Sequence, residues 1–219
     1  MNDRDVFINC PFSSDYNEYF NATVFAIIRS GFKPRCAREN DDGGEVRFEK
    51  ICRIIAECRY GVHDISKTEV DPASKLPRFN MPLELGLFLG ARKFGGKTQS
   101  KKKALIFDRA RHRYQAFISD IAGQDIHSHE NSVAELIERI STWLRDEGPN
   151  DKTPGGRAIA AEFERFRADL PEIARRKRLQ ASELTFRDLT NIAAAWILAE
   201  DEDTRASSHF AESSASYAF

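Results

Sequence analysis

The stretch EVRFEKICRIIAECRYGVHDIS, Glu45–Ser66, decides the fold. Val46, Ile51, Ile54, Ile55 and Cys58 fall on one face at helical spacing, so the first part reads as an amphipathic helix. The short apolar run that follows, YGVHDIS, has the length of a buried strand and ends in the polar residues Asp64 and Ser66. A helix feeding directly into a buried strand is one half-turn of an alternating α/β chain. The same alternation extends in both directions.

Upstream, DVFINC (Asp5–Cys10) reads as a first strand and PFSSD as its loop. Asp15 opens a helix with Tyr16, Phe20, Val24, Ile27 and Ile28 at helical spacing, and Gly31 closes it where a C-terminal glycine is expected. FKPRCA reads as a second strand, an edge or an irregular one because of Pro34, and RENDDGG as a loop. Downstream, KTEVDPASKLPRF is a long connection and NMPLELGLFLGAR a helix. The loop GGKTQSKKK leads to the strand ALIFD. HRYQAFISDIAG reads as a helix, DIHSH as a short strand and VAELIERISTWLRDE as a helix. The resulting order, βαβαβαβαβα, predicts an α/β fold with a parallel sheet of about five strands covered on both faces, with right-handed crossovers. In such sheets the ligand crevice lies beyond the carboxyl ends of the strands, near the point where strand order reverses. The segments to inspect are therefore Asn9–Asp15, 38–44, 64–66 and Asp108.

Pro and Gly in GPNDKTPGG mark a boundary near 148–156. The α/β domain is expected over 1–148 and a C-terminal helical extension over 149–200. Ile159, Phe163, Phe166 and Leu170 share one face of its first helix, and its second has a broad apolar face from Phe186 to Leu198. Those faces are expected to pack on the domain or to pair with a second copy in a homo-oligomer. Residues 201–219 are small and polar without a period and read as a disordered tail.

The chain has 219 residues, 41% hydrophobic and 31% charged, and a net charge of -1, so bulk charge gives no reason to expect nucleic-acid or membrane binding. No apolar run approaches the roughly 20 residues that span a bilayer, and the charged start MNDRDVFINC lacks a signal-peptide core. A cytoplasmic protein is expected, its four cysteines reduced. The five histidines form no metal set: His127 and His129 have strand spacing without nearby ligand partners. Gly-rich phosphate loops and nucleophile elbows are absent from the sequence.

One residue stands out. Within Met81–Ala91 every residue but Glu84 is apolar, Pro or Gly. A helix that is apolar all round is normally buried, and buried carboxylates are costly unless paired. Asn80 is expected to cap this helix and Pro82 to fit its first turn. Glu84 would then lie near the N-terminus, where the helix dipole favours negative charge. Gly86 and Gly90 are expected to let the helix approach the sheet closely. Asp64 and Ser66, at the end of a buried strand, are expected to project into the same crevice. The plain role for Glu84 is a capping or ion-pairing carboxylate, bonded to Arg78 or Lys67, and the plain role for Asp64 is to form a turn. Two carboxylates at one crevice favour a functional role.

The pattern Asp-Ile-Ser, a gap, then Asn-x-x-x-Glu-Leu-Gly (HDIS…NMPLELG) resembles that of the superfamily joining nucleoside 2-deoxyribosyltransferases and TIR-like domains. VFINCPFSSDY resembles the family's first strand and loop beside the bound nucleotide. The resemblance covers roughly residues 4–146. It implies a flavodoxin-like three-layer fold and cleavage or exchange of an N-glycosidic bond in NAD, a nucleotide or a nucleoside, with that molecule as substrate and no further cofactor. It implies Glu84 as catalytic carboxylate and Asp64 as its assistant. Asn80 would hold substrate or cap the helix, Ser66 would hold substrate, with Asn9 and Pro11 at the first strand's end, and Phe12 and Tyr16 would stack on a base or simply pack in the core. TIR-like relatives also imply antiphage defence. Such chemistry suits the residues, since a carboxylate beside the anomeric carbon can stabilise an oxocarbenium ion or attack it. A second expectation stands beside it, a nucleotide-sensing signalling module that binds in the same crevice without turnover.

Overall fold

The computed structural model describes residues 1–39, 42–71, 75–148 and 153–215, with side chains to Ala206. Five strands form one sheet: β1 (Asn2–Asn9), β2 (Lys33–Cys36), β3 (Cys58–Asp64), β4 (Lys103–Asp108) and β5 (Ile126–Ser128). Their order is β2-β1-β3-β4-β5, and every pairing is parallel. This is the strand order of flavodoxin-like doubly wound folds, whose switch point lies between β1 and β3. Asn9 of β1 is in register with His63 of β3, so both strands end at that point.

Helices cover both faces, as parallel strands with right-handed crossovers require. α1 (Asn17–Arg29) packs with α5 (Val133–Glu147). α2 (Arg47–Glu57) packs with α3 (Asn80–Phe94), which the four-residue α4 (Gly96–Gln99) follows. Ile51, Ile54 and Ile55 of α2, Phe88 of α3 and Phe7 of β1 form one core cluster. Ile65, Met81, Leu85, Ile106 and Tyr114 form another. Both draw on α3, so that helix is held from its first turn onward.

Three local expectations are corrected. The connection from β4 to β5 contains no α-helix; Arg113–Ala116 and Ser119–Ile121 are short 3-10 turns. His112 lies in the left-handed region there (φ 60°), as does Gly123 (φ 103°), and neither conformation continues a helix. Second, α3 is not buried all round: Met81, Glu84, Leu85 and Phe88 face inward while Leu83 is 54% exposed. Third, Gly86 and Gly90 make no close approach, since a Cβ at either would meet nothing within 4 Å. The glycine that does permit close packing is Gly61 on β3. A Cβ there would collide with His63 Nε2 and come within 2.9 Å of the Phe88 ring.

The chain divides into two compact units, Met1–Phe163 and Glu164 onward, with the division inside α6 (Gly156–Arg176). In the second unit Phe166, Leu170 and Ala174 are buried, as are Leu189, Ile192, Ala193 and Ile197 of α7. The Phe166 and Trp196 rings meet edge to face at 5.7 Å, and Trp196 Nε1 donates to Asp169 Oδ2 at 2.9 Å. α7 runs Phe186–Ala215, so residues 201–215, read above as a disordered tail, continue a helix here. Residues 216–219 lie outside the described residues. Among the described residues no helix is long and apolar enough to cross a membrane.

Candidate functional site

At the switch point a cavity of about 400 Å³ opens beyond β1 and β3. Cys10, Pro11, Phe12 and Ser13 line it from the end of β1. Lys67, Glu69, Val70 and Asp71 come from the connection after β3. Arg47 stands at the start of α2, and Arg78, Asn80, Met81 and Glu84 complete the wall at and before the first turns of α3. The lining thus comes from strand ends and from two helix N-termini, the place predicted by the strand order.

Glu84 is 8% exposed and faces this cavity. Among the described residues no hydrogen bond or ion pair holds its carboxylate. Lys67, an expected partner, instead contacts Asp15 and Ser13 Oγ. Burial pushes the Glu84 carboxyl from 4.5 up to about 7, and the charge of Arg47 only partly opposes this. A carboxyl so placed is poised between its charged and neutral forms near neutral pH.

Asp64 is placed differently. It is 2% exposed and absent from the lining. Tyr16 donates its hydroxyl to Asp64 Oδ2 at 2.5 Å, and Ser66 N donates to Oδ1 at 2.7 Å. His129 Nε2 lies 3.2 Å from Oδ2, near enough for an electrostatic contact but without hydrogen-bond alignment. Asn131 N donates to His129 Nδ1 at 3.1 Å, which leaves the proton of a neutral ring on Nε2, toward Asp64. The carboxylate is therefore committed to joining β3, α1 and the end of β5. The carboxylate partner of His129, missing from its sequence neighbourhood, comes from 65 positions away (129 less 64).

The other expected site residues divide between wall and frame. Pro11, Phe12 and Asn80 line the cavity. Phe12 packs edge-on to Phe20 at 5.5 Å, and the Arg38 guanidinium lies 5.6 Å from its ring centre. Asn80 is the first helical residue and not the cap. The cap position belongs to Phe79, which makes no side-chain cap bond, and Leu83 N donates to Phe79 O at 2.9 Å. Asn9, Tyr16 and Ser66 lie outside the lining. Tyr16 is 4% exposed, its ring stacked on Tyr19 at 5.1 Å. Ser66 O accepts from Arg113 at 2.7 Å.

Asn9 frames the site. Its buried amide donates to Met81 O at 2.8 Å and lies 3.1 Å from His63 Nδ1. With both amide hydrogens so used, His63 carries its own proton on Nε2. That ring is fully buried, held neutral by burial and then by the Lys102 charge, with its pKa lowered to about 3. Phe88, one turn beyond Glu84, meets it at 4.8 Å. Glu84 is thus bracketed along its helix by two anchors, Met81 on Asn9 and Phe88 on His63.

Sequence reading named Arg78 only as a partner for Glu84, and it missed two cations altogether: Arg47 in the cavity wall, and Arg113. The Arg113 guanidinium binds Asp108 Oδ1, Ile65 O, Ser66 O and Thr68 Oγ1, so it fixes the start of the connection that supplies Lys67. Basic residues immediately before Asn80 and at the start of the second helix were the available signal. Among the described residues no group of three or more His, Cys, Asp or Glu is arranged to hold a metal ion.

Strand order and crevice define the class: a doubly wound, flavodoxin-like α/β protein with a switch-point cavity. Comparison with family models, curated proteins and solved structures yields no match.

Proposed function

We propose that the switch-point cavity belongs to an enzyme that breaks the N-glycosidic bond of NAD or a nucleotide, with Glu84 as the catalytic carboxylate. The observation that carries this reading is Glu84 itself: buried, unpaired and facing a cavity of about 400 Å³. A structural carboxylate would have been paired or left in water.

In the reaction the bond from the anomeric carbon to the base nitrogen breaks, and its electron pair leaves with the base. In NAD that pair neutralises the pyridinium, so the leaving group needs no proton; the base of a nucleotide leaves by taking up the proton that the attacking water gives up. Ionised Glu84 stabilises the positive charge that develops on the sugar, or bonds to the anomeric carbon until water or another acceptor displaces it. The burial of Glu84 strengthens that interaction relative to water. Asp64 is then a positioning residue, acting through Tyr16 and Ser66 at the strand end. Antiphage defence by nucleotide depletion is the proposed role, and toxicity on expression should disappear with Glu84→Ala.

The test is release of free base from NAD and a nucleotide panel by the purified chain. Wild type should release base and Glu84→Gln should not. A second reading, binding without turnover, is favoured by one observation: of the expected pair of carboxylates, only Glu84 lines the cavity. Ligand-induced thermal stabilisation without product would establish it.

A further inference from the structure

We infer that the cavity is built for a phosphorylated ligand, its phosphoryl group held by Arg47, Arg78 and the open N-terminus of α2, so that a nucleotide is selected over the free nucleoside. This deepens the reading of Glu84 above and rests on the same cavity.

Three independent features converge. First, two arginines stand in the wall, each exposed at its surface. Among the described residues neither is tied into an ion pair. Lys67, the third cation of the wall, is already engaged by Asp15. Guanidinium groups offer forked donors that match phosphoryl oxygens. Second, Arg47 is the first residue of the eleven-residue helix α2, whose cap, Val46, offers no side-chain acceptor. The first α2 amide with a backbone acceptor is that of Lys50, which donates to Val46 O at 3.0 Å. The preceding amides of the first turn are the orphan donors that anions satisfy at helix N-termini. Third, Glu84 is more than nine-tenths buried and unpartnered on the same cavity, which marks the space as made for a ligand and not as a surface dimple.

Of the other acidic residues of the wall, Glu69 is paired with Arg109. The wall is therefore polarised, with the Arg47 and Arg78 guanidinium groups outside any ion pair among the described residues and the Glu84 carboxyl feeling Arg47 only through its charge. A molecule with a phosphate and, a few bonds away, a sugar carbon that becomes positive meets both halves. A free nucleoside meets only one.

The experiment is calorimetric titration of the full-length chain with AMP, adenosine and inorganic phosphate, using wild type, Arg47→Ala/Arg78→Ala and Glu84→Gln. AMP should bind wild type at least about tenfold more tightly than adenosine, since charge-assisted bonds are the stronger class. The double variant should lose that preference while its adenosine affinity and melting temperature hold, and the AMP preference of wild type should shrink with added salt. Glu84→Gln should keep the preference. Equal binding of AMP and adenosine, a preference unchanged in the double variant, or no binding of AMP would each overturn the inference. Base release from adenosine as fast as from AMP would overturn it while leaving the Glu84 reading intact. Tight, arginine-dependent AMP binding with no base release from any substrate would do the reverse.

Discussion

Glu84 lowers the stability of the fold that holds it. Its carboxyl titrates near 7 in the folded chain and near 4.5 when unfolded. Between those values the unfolded state has lost a proton that the folded state keeps, so stability falls as pH rises through this window. The deficit is complete above about pH 7 and, at about 1.4 kcal/mol per unit, is on the order of 3 kcal/mol. Glu84→Gln removes the titration. Its melting temperature at pH 8 should exceed that of wild type, the gap closing toward pH 5, as thermal denaturation across pH would read. Activity runs the other way: the ionised form is the one required, so kcat/KM of wild type should rise with pH through about 7. A structural carboxylate would give the opposite stability result. Gly61 makes a simpler case. Gly61→Ala would force His63 and Phe88 apart and should destabilise by about 1–3 kcal/mol in chemical denaturation.

α3 is the element on which the site depends, and Asn9 is its anchor. Asn9→Leu would remove both bonds, to Met81 O and His63 Nδ1, and leave the ring nitrogen buried without a partner. That should cost about 1–3 kcal/mol. The Glu84 carboxyl should also move down toward ordinary values as the first turn loosens and admits water, which carbon NMR of that carboxyl would report. An unmoved Glu84 titration with lowered stability would make Asn9 purely structural. The sequence made α3 and Glu84 visible because a single charge in an apolar run is a local signal. The Asn9 and His63 anchor left none, because its partners are 54 and 72 positions apart from Asn9. The β4 to β5 connection misled for a related reason. Tyr114, in the first 3-10 turn, and Phe117 and Ile118, between the two turns, pack inward as they would from a helix, so apolar spacing alone does not separate the two.

Across the whole molecule, the alternation of helical and strand periods was enough to establish the parallel sheet, because each buried strand is a short apolar run bounded by polar residues. The crevice followed from strand order. Two properties were out of reach. The polarised wall of the cavity depends on arginines from separate elements, and charges at surface-like positions carry no periodic signal. The last helix runs to Ala215 through a stretch whose composition reads as unstructured. From Phe186 onward that helix contains no Gly or Pro to stop it. Within the second unit, Trp196→Phe should keep the packing on Phe166 and lose the bond to Asp169, costing about 1 kcal/mol or less in thermal denaturation because that pair is exposed. The most direct measurement of the central claim is chromatographic detection of free base after incubating the purified chain with NAD and nucleoside monophosphates, wild type beside Glu84→Gln. Base release by wild type, lowered at least about a hundredfold by Glu84→Gln, is the predicted result. No release from any substrate, or equal release by both proteins, would contradict it.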